Sequence, residues 1–342
     1  HQQTDYKILL PPEYRPGRPY PMLVVLHDDK EPLAQVMERY GYEAIRNGYI
    51  LVGAEWGTGF GNIYGYNPDE RQRVLDVIRD VRLRYHVDSD RIFLSGYGDG
   101  ANAAWDIGLS QPDIFAGVVP IAGDPSPTLL QQYWPNAMHL PFYLVNGEYG
   151  GQFANKFTMK VMEYWINKGY PCLNVIYQGR GHEWFAAELP MAFEWMGRRK
   201  RANPFPELGR WPTGDQSALY AMRQTDGRRY WLSSDSIKEN ALIENKAPRA
   251  YSPARMQAII RPGNDVTIST FGLNEVSLWL GPGMIDFTRP VTVKLTGFRN
   301  VAKPKKLGLI KPNLSLMLED CLERGDSTRL YLFKASFNPN AP

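Results

Sequence analysis

Two stretches far apart in the chain have the residue types and local setting for acyl-transfer chemistry: the corner Gly96-Tyr97-Gly98-Asp99-Gly100 and the loop Gly179-Arg180-Gly181-His182-Glu183-Trp184. An apolar run, Ile92 to Ser95, enters the corner, and a small-residue segment, Ala101 to Leu109, leaves it. Strand, sharp turn and helix in that order lift the middle residue of the turn above a sheet, where a neighbouring histidine can activate a nucleophile. Here the middle residue is Gly98, which has no side chain to attack anything. A second chemistry is open to the same region. Asp28, Asp29, Asp99 and His182 are expected near the ends of strands, and carboxylates with an imidazole can hold a divalent cation that activates water.

The elements that must position these residues are legible from periodicity. Met22 to His27 and Tyr49 to Ala54 are near-continuous apolar runs, the pattern of strands buried on both faces of a parallel sheet. Helical spacing runs from Pro32 to Asn47 and from Asp69 to Tyr85, with Asp69 placed as a cap. Further strands are expected at Tyr6 to Leu10, Phe115 to Ile121, Pro141 to Asn146 and Leu173 to Tyr177, and helices at Asn155 to Lys168 and Trp184 to Arg199. Such alternation predicts an α/β fold with a doubly wound, mostly parallel sheet. Residues 204–214, rich in proline, read as a linker after a unit spanning 1–203. Residues 215–342 carry short β-rich runs and one helix, Asn313 to Arg324, and read as a smaller, mostly-β domain.

Composition narrows the classes of function. With 39 basic and 36 acidic residues the net charge is +3, so no large field is implied. The basic run Arg198 to Arg201 sits where a helix ends and reads as a solvated boundary, not a nucleic-acid patch. No apolar run is long enough for a membrane span. Cys172 and Cys321 form neither a disulfide framework nor a metal cluster, and no cofactor is expected. The first residue is His1, which leaves room for a removed export signal and slightly favours an extracytoplasmic location, secreted or periplasmic. The loop with Trp56, Phe60 and Tyr64, together with Tyr97 and Trp184, offers aromatic faces to a ligand, although the same side chains would equally serve as packing.

The corner, with Asp88-Ser89-Asp90-Arg91 leading into it, and the loop around His182 resemble the α/β-hydrolase superfamily, in its polyhydroxybutyrate-depolymerase, feruloyl-esterase and prolyl-oligopeptidase-like branch. The likeness covers roughly residues 5 to 200 and implies the α/β-hydrolase fold. It also implies a serine where Gly98 stands, a base at His182, an orienting aspartate about where Gly150 stands, and His-Gly-Gly where this chain reads His27-Asp28-Asp29. Glu148 would be a substitute acid, displaced in its loop. Two carboxylates beside a developing oxyanion oppose the stabilisation that such a loop supplies.

Departures in three separate loops imply abandoned chemistry: an inactive homologue with a vestigial base, His182, kept for binding or assembly. Two alternatives keep the chain active, one metal-assisted through Asp28, Asp29, Asp99 and His182, the other a serine esterase in which Gly98 is an engineered replacement. Relatives of this shape act on esters of polysaccharides, polyesters and peptides, so a carbohydrate or polymer ligand is what the resemblance implies. The aromatic content also leaves room for a protein partner or homo-oligomer.

Overall fold

The structure, a computed structural model, describes residues 4–57, 63–150, 154–208, 218–243, 252–296 and 304–339. The chain divides into two compact units, His1–Ala202 and Asn203–Pro342.

The first unit is built on β1 (Tyr6–Leu9), β2 (Tyr20–Leu26), β3 (Ile50–Ala54), β4 (Val87–Tyr97), β5 (Gly117–Ile121), β6 (Phe142–Gly147) and β7 (Cys172–Tyr177). They form one sheet in the order β1-β3-β2-β4-β5-β6-β7. Only the β1–β3 pair is antiparallel. Every residue of β2 and β3 is buried, which is why both read as unbroken apolar runs.

Helices α1 (Leu33–Arg46), α2 (Pro68–Arg84), α3 (Asp99–Ser110), α4 (Pro127–Tyr133), α5 (Ala154–Lys168) and α6 (Leu189–Gly197) complete the unit. Val36 and Tyr40 of α1 and Phe193 and Met196 of α6 share one core with Leu23, Val25 and Leu51 of the sheet. Elsewhere Trp105 of α3 packs against both Phe142 of β6 and Trp165 of α5. The cap of α2 is not the expected Asp69 but Asn67, whose side chain accepts the Glu70 N–H while the Glu70 carboxylate accepts the Asn67 N–H. This reciprocal box with Pro68 behind it satisfies two donors that Asp69, inside the first turn, cannot reach.

The second unit holds two sheets. One is β10 (Arg228–Arg229), β11 (Leu232–Ser233), β14 (Val276–Leu280) and β17 (Phe333–Phe337). The other joins β16 (Lys305–Gly308), β15 (Val291–Thr296), β13 (Asp265–Phe271), β12 (Ala254–Arg261) and β8 (Glu207–Leu208), with β9 (Leu219–Ala221) also on β12. Burial alternates along β12 and β13, as one-sided strands require. Part of the expected linker is therefore sheet, since Glu207 and Leu208 pair with Ile259 and Ala258. The one helix expected here is α7 (Leu314–Arg324), capped by the Asn313 side chain and closed by Gly325 in the left-handed conformation.

Among the described residues no helix is long and apolar enough to cross a membrane. Both cysteines are free. The basic run is engaged within the chain: Arg198 pairs with Glu194, and the buried Arg201 guanidinium lies 3.1 Å from Asp90.

Candidate functional site

Strand β4 ends at Tyr97 and α3 begins at Asp99, so the whole reversal is made at Gly98, with φ 58° and ψ −120°. That conformation is costly for any side-chain-bearing residue. The flanking glycines are demanded by close approach. A Cβ at Gly96 would lie 2.2 Å from the Gly100 carbonyl oxygen, and one at Gly100 would lie 2.2 Å from that of Leu26. The turn is thus the raised corner expected from the sequence, with a glycine at its apex.

The parallel register of β2 and β4 sets Leu26 beside Gly96, so the chain leaving β2 arrives at the same corner. Asp28 uses this placement. Its Oδ1 accepts the Asp99 backbone N–H at 2.8 Å. In the fold expected from the sequence, the N–H of the residue after the nucleophile is an oxyanion donor. The same Oδ1 would lie 2.3 Å from a Cβ built on Gly98. The Asp28 carboxylate therefore takes up the space a side chain at position 98 would enter and accepts the first backbone N–H of α3.

His27 anchors the base of that loop. Its Nδ1–H donates to the Asp28 carbonyl at 2.7 Å, and its ring stacks on Trp56. Nε2 lies 2.9 Å from Glu55 Oε2 but is poorly aligned with it. Burial disfavours the imidazolium, yet Glu55 and the Asp28 carbonyl outweigh it and raise the His27 pKa.

Carboxylate oxygens of Asp28, Asp29 and Asp99 come within 4.8 Å of one another, an all-oxygen set of the kind hard cations take. His182 is not part of that group, so the four-residue set expected from sequence is not assembled. Burial, then the charges of Asp28 and Asp29, push the Asp99 carboxyl above the usual carboxylate range, against hydrogen bonds from Asn102 and the Tyr64 backbone. The folded chain then holds this proton more tightly than the unfolded chain. Stability falls as pH climbs from the ordinary carboxylate value through the folded one, and stays lower above it. Asp99→Asn, which keeps an acceptor for Asn102, should raise Tm at pH 7 by about 1–3 °C, a small gain because half of the group still sees water. The gain should vanish near pH 3. A Tm that drops at pH 7 would refute the repulsion.

His182 is exposed, and its ring is 5.3 Å from that of Tyr97. Among the described residues nothing hydrogen-bonds to it. At the position expected for its orienting acid, a Cβ on Gly150 would lie 3.3 Å from the Gly181 carbonyl oxygen, directly beside the histidine loop. Glu148 does not replace that acid; its Oε2 accepts the Gly179 N–H at 2.8 Å. Asp124, after β5, feels the charge of His182: burial raises its pKa and His182 opposes the rise.

The aromatic residues separate into two groups. Tyr97 and Trp184 meet edge to face, 5.8 Å apart, with the Arg39 guanidinium 5.2 Å and 5.0 Å from their rings. Arg39 also pairs with the buried Glu31, Nε to Oε1 3.0 Å. Neither Arg39 nor Glu31 was singled out from sequence, because on a helix and in a loop they read as ordinary surface charges. Trp56 and Tyr64 are corrections. Trp56 is 0% exposed, its indole N–H donating to the His27 carbonyl. Tyr64 is 2% exposed, its hydroxyl donating to Asp106. Packing, not ligand contact, is what these two do, since each ring's faces and polar atom are spent inside the domain. Phe60 lies outside the described residues.

A parallel sheet in this strand order, an antiparallel first strand and the raised corner after β4 together define the α/β-hydrolase fold. No family model and no curated protein matches the chain. Among solved structures, a thermostable esterase aligns with 57% of this chain and 59% of its own at 18% identity and a TM-score of 0.47. The esterase PE8 aligns with 57% of this chain and 99% of its own at 16% identity and a TM-score of 0.45. An S-formylglutathione hydrolase from Agrobacterium tumefaciens aligns with 57% of this chain and 90% of its own at 18% identity and a TM-score of 0.46. The fold assignment rests on the sheet and its corner, not on these alignments.

Proposed function

We propose that this chain is a catalytically silent protein of the α/β-hydrolase fold, in which the unit that once carried acyl-transfer chemistry serves binding or assembly. One observation carries the reading: the Asp28 carboxylate on the Asp99 N–H, in the space a nucleophile's Cβ would need. Any acyl substrate would have to displace a fixed negative charge before its own oxyanion could form, and electrostatic preorganisation then works against the reaction. The glycine at the acid position and the unsupported His182 point the same way.

The test uses the intact protein with p-nitrophenyl acetate, methyl ferulate and a fluorophosphonate probe that labels activated serines. Rates at the buffer level and no label are expected. Turnover that tracks a single purified peak, or a labelled serine, would overturn the proposal. Turnover abolished by a chelator would instead favour water activation at Asp28, Asp29 and Asp99.

A further inference from the structure

Helix α7 of the second unit is amphipathic the wrong way round. Its buried residue is a carboxylate, Asp320, paired with Arg324 at 2.6 Å and with Arg228. Its leucines face outward: Leu314 is 64% exposed, Leu318 57% and Leu322 60%. Spaced i, i+4, i+8, the three make one ridge along the helix. Single exposed leucines are ordinary, whereas a continuous ridge of them, on a helix whose ion pairs point inward, marks a surface that another element covers.

The ridge and its flanks define what fits. Met317 and Cys321, both half-buried, run along one side of it, and the exposed Ser315, Glu319 and Glu323 run along the other. The groove between the leucines and Met317 and Cys321 is therefore apolar, and a second i, i+4 ridge packs into such a groove. Taken from either end the leucine pattern is the same, because Leu314 and Leu322 stand about 6 Å on either side of Leu318 along the axis. The charges are not the same at both ends. Lys311, exposed, precedes the helix, and Glu319 and Glu323 occupy its second half.

A palindromic apolar ridge with opposite charges at its ends is complementary to itself under a two-fold axis, as an isologous interface requires. Such an axis through Leu318 sets Leu314 against Leu322 of the second copy and brings Lys311 towards that copy's Glu323. It also opposes the two helix dipoles end to end. An anionic lipid surface fits less well. Lys305 and Lys306 would favour it, but the two glutamates flanking the ridge itself would lie among the headgroups.

We propose that α7 is the docking face for a second copy of this chain, the two helices crossing antiparallel at Leu318. It concerns the second unit alone, so it stands whether or not the corner is silent. One pair of eleven-residue helices covers less than the roughly 800 Å² per partner of stable complexes, so the dimer should be weak.

Sedimentation velocity on the full chain from about 1 to 500 µM tests this, with an expected dissociation constant of about 10–100 µM. Leu318→Glu, which faces two like charges across the axis at an exposed position, should raise it at least about ten-fold. Lys311→Glu should raise it about three-fold, and Glu323→Lys added to that variant should restore it. Melting curves on each variant separate lost association from lost fold, and Leu322→Ser serves if Leu318→Glu does not fold. A chain that stays monomeric throughout, or a dimer that Leu318→Glu and Leu322→Ser leave unchanged, would overturn the proposal. A charge swap no tighter than Lys311→Glu alone would overturn the antiparallel placement. Cosedimentation with phosphatidylserine vesicles that Leu318→Glu abolishes, in a chain that does not dimerise, would assign the ridge to a lipid surface instead.

Discussion

Gly98→Ser alone is expected to leave aryl acetate hydrolysis at the buffer rate, whereas Gly98→Ser with Asp28→Gly should raise it by at least about 10-fold and up to about 10². The new serine would bring its Cβ to 2.3 Å from Asp28 Oδ1, so the carboxylate must swing aside, and even displaced it stays beside the reacting centre. Removing it frees the Asp99 N–H, now taken at 2.8 Å, to meet an oxyanion. A single oxyanion donor is worth about 10²–10³ in turnover where the rest of the machinery is complete. Here it is not. Among the described residues no carboxylate hydrogen-bonds to His182, and in a serine protease triad loss of the aspartate alone costs about 3 × 10⁴ of the roughly 2 × 10⁶ that loss of the serine costs. The ratio, about 10², is the ceiling for a serine and histidine without their acid. Because the corner's backbone costs a serine about 1–3 kcal/mol of strain, both variants need a melting curve beside the assay. If Gly98→Ser alone turned over substrate as fast as the pair, Asp28 would be no obstacle and the proposed function would lose its main support.

The second large effect is on stability. Gly100→Ala should destabilise the first unit by about 3 kcal/mol or more, while Gly181→Ala should change it by less than about 0.5 kcal/mol. A Cβ at Gly100 would stand 2.2 Å from the Leu26 carbonyl oxygen, at the end of β2, and 2.7 Å from that of His27, which the Trp56 indole N–H holds. No side chain can rotate away to make room, so α3 must lift off β2. At Gly181 nothing lies within 4 Å of the added carbon. Urea unfolding of the two variants measures the contrast directly. A Gly100→Ala chain within about 1 kcal/mol of the parent would mean that helix and strand are not in the close contact described.

The corner at Gly98 shows why some of this was legible in the chain and some was not. Strands β2 and β3, the glycines around Gly98 and the loop holding His182 announce themselves locally: buried parallel strands need unbroken apolar runs, and a tight reversal needs residues without side chains. These are properties of neighbours in sequence, and amino-acid type alone determined them, including the absence of a hydroxyl at the apex. The role of Asp28 is of another kind. It depends on a partner 71 residues away, brought close by the pairing of Leu26 with Gly96, and the pairing of parallel strands leaves no mark on either segment by itself. The same holds for Trp56 and Tyr64, whose composition suits a binding surface or a core equally well until His27 and Asp106 arrive beside them. Residue chemistry and local spacing settled what this corner lacks. Tertiary placement decided what fills it, because a hydrogen bond to one backbone N–H is a matter of ångströms that no local pattern encodes.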